Sequence, residues 1–336
     1  MRTCFNSRGV KISAVIGAAM LLWAGTFFHS DLARAAAKDY PNKPITLMVP
    51  WSAGGSTDLS ARTMAPVLSK ILGVPVTVVN KPGGSGIIGT LETMKAAPDG
   101  YTLLADCGGT SSIQYAWAEK LPYKVEERTY IVRAAYTPEA LLVPGVSPWK
   151  NMDDLMNAIR ANPSAFRWSL IGGTGVPDVI TVQLRAALTS KGLDLSKTRS
   201  ITYKGTGEVL IAIGGNHVDI GFGGVGAATP LRDAGKLRAL AIVDSRRYKG
   251  WPDIPSTAEI GFAPVDLIYW VGLSGPPGMP ANIIKTLTDA VQSAVSSPEM
   301  VPQLDKIGFV PGFQPSDEYK KFVLAEGNGI KGLKLK

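Results

Sequence analysis

From Ile45 onward the chain alternates short, continuous apolar runs with longer segments whose apolar residues recur at helical spacing. Residues 45–49, 76–79 and 102–105 read as strands. Between them, Leu59, Met64, Val67, Leu68 and Ile71 share one helical face, as do Ile87, Ile88, Leu91 and Met94. Strands that alternate with helices in this way are the pattern of βαβ units around a largely parallel sheet. A second set begins after Pro148: a strand at 168–171, a helix through Ile180, Leu184 and Leu188, a strand at 200–202, a helix at 207–213, and strands at 218–222 and 240–243. The C-terminal part returns to helices, the clearest carrying Ile283, Ile284, Leu287, Val291 and Ala294. No internal repeat or low-complexity tract interrupts the pattern. About 300 residues of it exceed one typical core, so two α/β lobes are expected. The order of the elements predicts a first lobe of 38–140 with 263–336 and an inserted second lobe of 141–262, with crossings near 130–143 and 243–270.

Ahead of this pattern, Arg2, Arg8 and Lys11 precede an apolar stretch at 12–28 and the small-residue run Ala33-Arg34-Ala35-Ala36-Ala37. That is the layout of a Sec signal peptide cleaved after Ala35 or Ala37. An uncleaved anchor is the rival, but the stretch barely reaches the roughly 17 residues needed to span a bilayer, and it contains Gly17, Gly25 and Thr26. No twin-arginine pair is present, which fits export as an unfolded chain without a preloaded cofactor. The expectation is a leader at 1–37, a periplasmic protein and no cofactor.

Removing the leader takes away four basic residues and one acidic one, so the formal charge falls from +8 to +5. The remaining Lys and Arg are scattered, which suits steering of small anions rather than nucleic-acid binding. Cys4 and His29 lie in the leader, leaving Cys107 and His217 alone in the mature chain. An internal disulfide is thereby excluded, and so is a structural zinc site of Cys/His type. A Ser-His-Asp triad would rest entirely on His217, which reads as a solvated residue in the turn Gly214-Gly215-Asn216-His217. Cys107 reads as a small buried residue after a strand rather than a reactive thiol.

Three glycine-rich loops follow strands and open helices: Pro50-Trp51-Ser52-Ala53-Gly54-Gly55-Ser56-Thr57-Asp58, Lys81-Pro82-Gly83-Gly84-Ser85-Gly86, and Gly172-Gly173-Thr174-Gly175. A helix N-terminus leaves backbone N–H groups unpaired and carries partial positive charge, and glycine lets a ligand approach that backbone. Each loop taken singly is also explained as a tight turn. Three of them at the carboxyl ends of strands in two lobes point to a shared anion-binding cleft. Gly84-Ser85-Gly86-Ile87-Ile88-Gly89 matches the dinucleotide pattern, with Asp106 after the next strand. It follows the second strand of its lobe rather than the first, however, and an exported chain meets little dinucleotide. No loop ends in Gly-Lys-Ser/Thr, which excludes a P-loop.

Taken in order, several segments resemble the Bug-type receptors of tripartite tricarboxylate transporters. These are Tyr40-Pro41-Asn42-Lys43-Pro44-Ile45 through the first glycine loop, Val79-Asn80-Lys81-Pro82-Gly83-Gly84-Ser85-Gly86, Ala97-Pro98-Asp99-Gly100-Tyr101-Thr102, Tyr203-Lys204-Gly205-Thr206-Gly207, Ala234-Gly235-Lys236-Leu237-Arg238, and Gly272-Leu273-Ser274-Gly275-Pro276-Pro277-Gly278. The resemblance covers essentially the whole mature chain. It implies a type II periplasmic binding protein, an α/β fold of two Rossmann-like lobes joined by two crossing strands, that holds a small organic carboxylate by backbone N–H groups and hands it to membrane subunits. A monomer that binds no nucleic acid and no metal and performs no catalysis is expected. Carried over residue by residue, Trp51, Ser52, Ala53, Gly54, Gly55, Gly84, Ser85 and Gly86 line the first lobe, with Thr110 and Ser111 after the third strand. Thr174, Gly175 and Thr206 face them from the second lobe. Asp58 is either a helix cap or a ligand contact.

Two departures bear on the ligand. Trp51 stands where the family more often has Phe, as a broader apolar wall or as a core residue. Val176-Pro177-Asp178-Val179 replaces a stretch in which the family commonly carries a histidine, and Asp178 near the cleft argues against a fully anionic distal ligand end. Competing functions are a sensory receptor of the same fold that presents its ligand to a membrane kinase, and an exported hydrolase in which His217 serves Ser52, Ser56 or Ser85.

Overall fold

The computed structural model describes residues 40–262, 265 and 267–333. The expected leader at 1–37 lies outside these residues, as does residue 263, at which the first lobe was expected to resume. Residues from Lys43 onward form one compact unit. Its elements run β1 (Ile45–Val49), α1 (Ser56–Leu72), β2 (Val76–Asn80), α2 (Ile87–Met94), β3 (Thr102–Cys107), α3 (Ser112–Trp117), β4 (Thr129–Thr137) and β5 (Glu139–Pro144). They continue as α4 (Met152–Ala161), β6 (Arg167–Leu170), α5 (Val176–Ser190), β7 (Arg199–Thr202), α6 (Thr206–Gly214), β8 (Gly221–Gly224), α7 (Val225–Asp233) and β9 (Leu237–Val243). The chain closes with β10 (Tyr269–Gly275), α8 (Ala281–Val295), α9 (Met300–Lys306), β11 (Val310–Pro315) and α10 (Ser316–Ile330).

Two α/β lobes follow from the strand pairing. The first sheet has the order β11-β4-β10-β3-β1-β2, with β1 parallel to β2 and β3, and β10 antiparallel to β3 and β4. Ile45, Leu47, Met48 and Val49 are all buried, as a strand covered on both faces requires. α1 packs on β1, β2 and β3 and against α8, turning Ala61, Met64, Ala65 and Leu68 inward. It ends at Gly73, whose left-handed φ of 71° lets its N–H close on Ser69 O. The second sheet has the order β8-β5-β9, and the β6-β7 pair extends it through a parallel bridge between Trp168 and Ile220.

β4 belongs to the first sheet and β5 to the second, with Pro138 alone between them. Proline has no N–H to give a ladder, so the pairing changes hands there. The chain returns through 244–268 to β10, which pairs with β4 from Thr129 to Thr137. Tyr130 on β4 and Trp270 on β10 both meet Tyr319 of α10 edge-on, at centroid distances of 5.2 and 5.4 Å. Edge-to-face aromatic pairs add about 0.5–1.5 kcal/mol each beyond burial, so the strands that enter the crossings stand on a stiff base.

The periodicity reading passed over α3, α4, α7 and β11. α4 carries a legible signal in Asn151, whose side chain accepts the Asp154 N–H at 2.9 Å, followed by Met152, Leu155 and Ile159 on the buried face. The strand expected at 218–222 lies later. Val218, Ile220 and Phe222 do alternate, but the ladder with β5 runs from Gly221 to Gly224, while Ile220 pairs with β6.

Candidate functional site

The glycine loops of both lobes meet across a cleft. In the first loop, Gly54 takes a φ of +79° and donates its N–H to Asp58 Oδ2 at 2.9 Å. Asp58 Oδ1 accepts from Arg62 Nε at 2.9 Å and from Asn80 Nδ2 at 2.8 Å, and Asn80 Nδ2 also reaches Trp51 O at 3.2 Å. Both carboxylate oxygens are therefore engaged in tying the loop to α1 and β2, and Asp58 is buried. Of its two sequence readings, the geometry matches the structural one.

The second lobe repeats the device. Asp178, also three residues after the glycine that precedes its helix, is fully buried and accepts from Ile171, Gly173 and Gly175 N–H, each at 2.8 Å. Burial raises its pKa above the usual carboxylate value, and the three amide donors oppose that. Asp178 faces its own loop rather than the cleft, and it engages the Gly173 and Gly175 N–H groups that a ligand would otherwise reach.

Trp51 is buried, and its Nε1–H points at Cys107 Sγ at 3.3 Å. The indole lies against two glycines. A Cβ at Gly86 would stand 3.1 Å from Trp51 Cζ2 and 3.1 Å from Thr110 Cγ2, and one at Gly109 would stand 2.8 Å from Trp51 Cζ2. Gly86 also has a φ of +82°, so a side chain there strains the backbone and collides with the indole before any ligand is involved. Gly84 and Ser85 are left-handed as well, at +56° and +54°. Ser85 spans the cleft: its Oγ donates to Gly172 O at 2.6 Å, while its own carbonyl accepts from Gln114 Nε2 at 3.0 Å and Thr174 Oγ1 at 3.3 Å. Lys81 is half exposed and paired with Glu92, away from these contacts.

Thr110 and Ser111 turn inward. Their hydroxyls donate to Asp106, at 2.7 Å each to Oδ1, and Asp106 also accepts from Arg128 Nη1 and Tyr319 OH, both at 3.0 Å. Arg128 and Asp106 are completely buried. Burial acts to lower the Arg128 pKa, but the Asp106 carboxylate and nearby tyrosines outweigh it and hold the guanidinium charged. This network fixes the third loop from below. Asp106 thus braces a loop, which accounts for it without a ribose.

Across the cleft, backbone meets backbone. A Cβ at Gly205 would lie 2.8 Å from Ser52 N, and one at Gly207 would lie 2.1 Å from Ala53 O. Between the loops is a cavity of about 10 Å³, the room of a single water. Of the residues singled out in the sequence, Trp51, Gly55 and Thr206 line it, together with Ser56, Thr57, Cys107, Gly109, Ile171, Val176 and Tyr269. Thr57 Oγ1 and the Tyr269 hydroxyl are hydrogen-bonded, and burial holds the Tyr269 pKa well above its usual value. Tyr269 stands on the second crossing, where no motif marks it. The first residues of α1, α5 and α6 (Ser56, Val176 and Thr206) all reach this one cavity, and none of the lining residues is charged. His217 is exposed in the turn after α6, and no group of three or more His, Cys, Asp or Glu suited to a metal occurs among the described residues.

The family model for the tripartite tricarboxylate transporter family receptor matches residues 60–333. Protein BugT of Bordetella pertussis is 30% identical over 296 residues, spanning 88% of this chain and 89% of BugT. MatC from Rhodopseudomonas palustris, solved with bound malate, superimposes with a TM-score of 0.81 at 25% identity, covering 88% of this chain and 99% of that one. A second R. palustris protein, solved with adipate, gives a TM-score of 0.82 at 25% identity, covering 88% and 97%. The chain belongs to this receptor family.

Proposed function

We propose, from the premise that this chain is a receptor of the tripartite tricarboxylate transporter family, that it captures a small organic carboxylate between its lobes and delivers it to the membrane subunits of such a transporter. The observation that carries the reading is the convergence of three helix N-termini on one uncharged cavity. The ends of α1 and α6 offer N–H groups and partial positive charge, and α5 adds the Val176 N–H beside donors already taken by Asp178, so together they favour an anion without an ion pair. The family works outside the cytoplasm, and we place this chain in the periplasm as a monomer with the leader 1–37 removed. A lobe division of 38–140 with 263–336 against 141–262 is supported by the change of sheet at Pro138. The malate and adipate bound to the two neighbours set the class of compound to try first.

The test is a thermal-shift panel of mono-, di- and tricarboxylates, aromatic acids and amino acids, each beside its amide analogue. A ligand at about 100 times its Kd stabilises by roughly 2.7 kcal/mol, which raises Tm by several degrees in lobes of this size. At least one carboxylate should give that shift and its amide much less, with Lys81→Ala leaving the shift in place. A panel in which amides match or exceed their acids would overturn the proposal.

A further inference from the structure

Among the described residues, the carboxyl group of Glu139 is buried without a partner. Glu139 opens β5, the strand that follows the crossing at Pro138, and is followed by Ala140, Leu141, Leu142 and Val143 in a wholly buried run. It is itself fully buried, and neither Oε1 nor Oε2 has a hydrogen-bond partner among the described residues. Every other fully buried carboxylate described above has several. An unpaired buried carboxyl costs free energy that an apolar residue would not, so its presence calls for an explanation.

Its direction follows from the ladder. Glu139 pairs antiparallel with Gly224, and residues directly opposite in such a pair send their side chains to the same face. A Cβ at Gly224 would meet Ser56 Oγ at 2.4 Å and Thr137 Cγ2 at 3.4 Å. Glu139 therefore leaves β5 on the face that confronts Ser56, the first residue of α1 and a wall of the cavity. Ser56 Oγ is also buried without a partner. Tyr269, another wall of the cavity, pairs with Thr137, two residues before Glu139. The two orphaned groups, a carboxyl from the second lobe and a hydroxyl from the first, thus lie on the same side of β5 and β8, where the missing side chain of Gly224 lets Ser56 come close.

We propose that Glu139 is the specificity residue of the cleft, reading a protonated amine on the ligand, so that the solute is a carboxylate that also carries an ammonium group. This rests on the carboxylate-receptor reading and refines it. The helix N-termini take the carboxylate, and Glu139, on the face that confronts Ser56, supplies the negative charge that no lining residue of the cavity carries. Burial pushes the Glu139 pKa up to about 8. Glu139 pairs with Gly224 of β8 and Val243 of β9, Ser56 of α1 and Thr137 of β4 lie over Gly224, and the Tyr269 hydroxyl of β10 is taken by Thr57; Asp58 in the same turn of α1 is turned to Gly54, Arg62 and Asn80. Closing on a ligand without an amine thus forces Glu139 to take up a proton at neutral pH, whereas an ammonium keeps it ionised.

The sign follows from linkage. The closed-state pKa lies above the ordinary value of about 4.3, so closure on an amine-free acid is favoured at low pH and weakens as pH rises towards 8. Calorimetric titration with the matched pairs L-aspartate and succinate, L-glutamate and glutarate, and L-phenylalanine and 3-phenylpropionate reads both effects. In at least one pair the amino acid should bind about tenfold tighter or better at pH 7. Affinity for its amine-free partner should fall more than about tenfold from pH 6 to pH 8 while that for the amino acid holds. Glu139→Gln, which keeps the shape and removes the charge, should erase both the preference and the pH slope, with its Tm confirming a folded protein. Tighter binding of the amine-free acid in every pair, or a preference unchanged in Glu139→Gln, overturns the assignment and leaves the receptor reading standing. No binding by any member, with no shift in the wider panel, removes both.

Discussion

Asp58 and Asp178 show what can be read at the scale of single residues. Both stand three positions after the glycine that precedes a helix, in Gly55-Ser56-Thr57-Asp58 and Gly175-Val176-Pro177-Asp178, and a carboxylate in that first turn is a capping signal. The glycines of the loops were legible for the same reason, since positive φ and close approach leave few alternatives. Which way the carboxylates and hydroxyls point was not, because orientation depends on partners far along the chain: Thr110 and Ser111 turn to Asp106 only because Arg128 and Tyr319 complete its shell. Asp178 yields a direct test. Asp178→Ala leaves the N–H groups of Ile171, Gly173 and Gly175 without their acceptor. Buried unsatisfied donors cost about 1–3 kcal/mol each where water cannot replace the partner, so a loss of at least about 3 kcal/mol is expected in urea unfolding. Asp178→Asn keeps one acceptor oxygen and should lose clearly less. If the alanine variant unfolds within about 0.5 kcal/mol of wild type, the carboxylate is not what holds the loop.

At the scale of elements, long amphipathic helices and continuous apolar strands were readable, and the short or glycine-rich ones were not. β8 is Gly-Phe-Gly-Gly, and its glycines answer to neighbours from other elements: Gly221 to Ser169 Oγ, Gly223 to Leu210 and Gly224 to Ser56 Oγ. A strand shaped by what lies over it carries little periodic signal of its own. α6 makes the same point in a form that can be measured. A Cβ on Gly207 would approach Ala53 O to 2.1 Å and Gly55 N to 3.1 Å, and all three of its nearest contacts belong to the first glycine loop across the cleft. Gly207→Ala should therefore wedge the two loops apart while sparing the fold around α6, where alanine is the better helix former. The expected outcome is at least a tenfold loss of affinity for whichever carboxylate binds wild type, with the ligand-free Tm unchanged or slightly raised. A variant that binds normally would show that this contact does not form in the bound state.

For the whole molecule, the alternation of strands and helices was enough to anticipate a two-lobed α/β fold, but not how tightly the lobes close. That depends on loop against loop, and the chain pattern carries no record of it. In the closed geometry the cavity holds about 10 Å³, far short of a dicarboxylate, so the lobes must part for a solute to enter. The contacts that have to open include Ser85 Oγ to Gly172 O, Thr174 Oγ1 to Ser85 O, and the close approaches of the first loop to Gly205 and Gly207 and of Gly109 to Thr174 and Gly175. Hydrogen bonds of this kind contribute about 0.5–1.5 kcal/mol net each. A ligand that contacts both lobes binds the closed form preferentially and shifts that balance by its differential affinity. Pro138 is a point about which the sheets can turn, because the chain passes there from one sheet to the other. Small-angle scattering should show a radius of gyration that falls when a saturating carboxylate is added to the ligand-free protein, and Gly207→Ala should keep the larger value even with ligand present. A ligand that raises Tm by several degrees without any change in the radius would mean that binding occurs in a cleft already closed, and that entry uses some route other than rotation of the lobes.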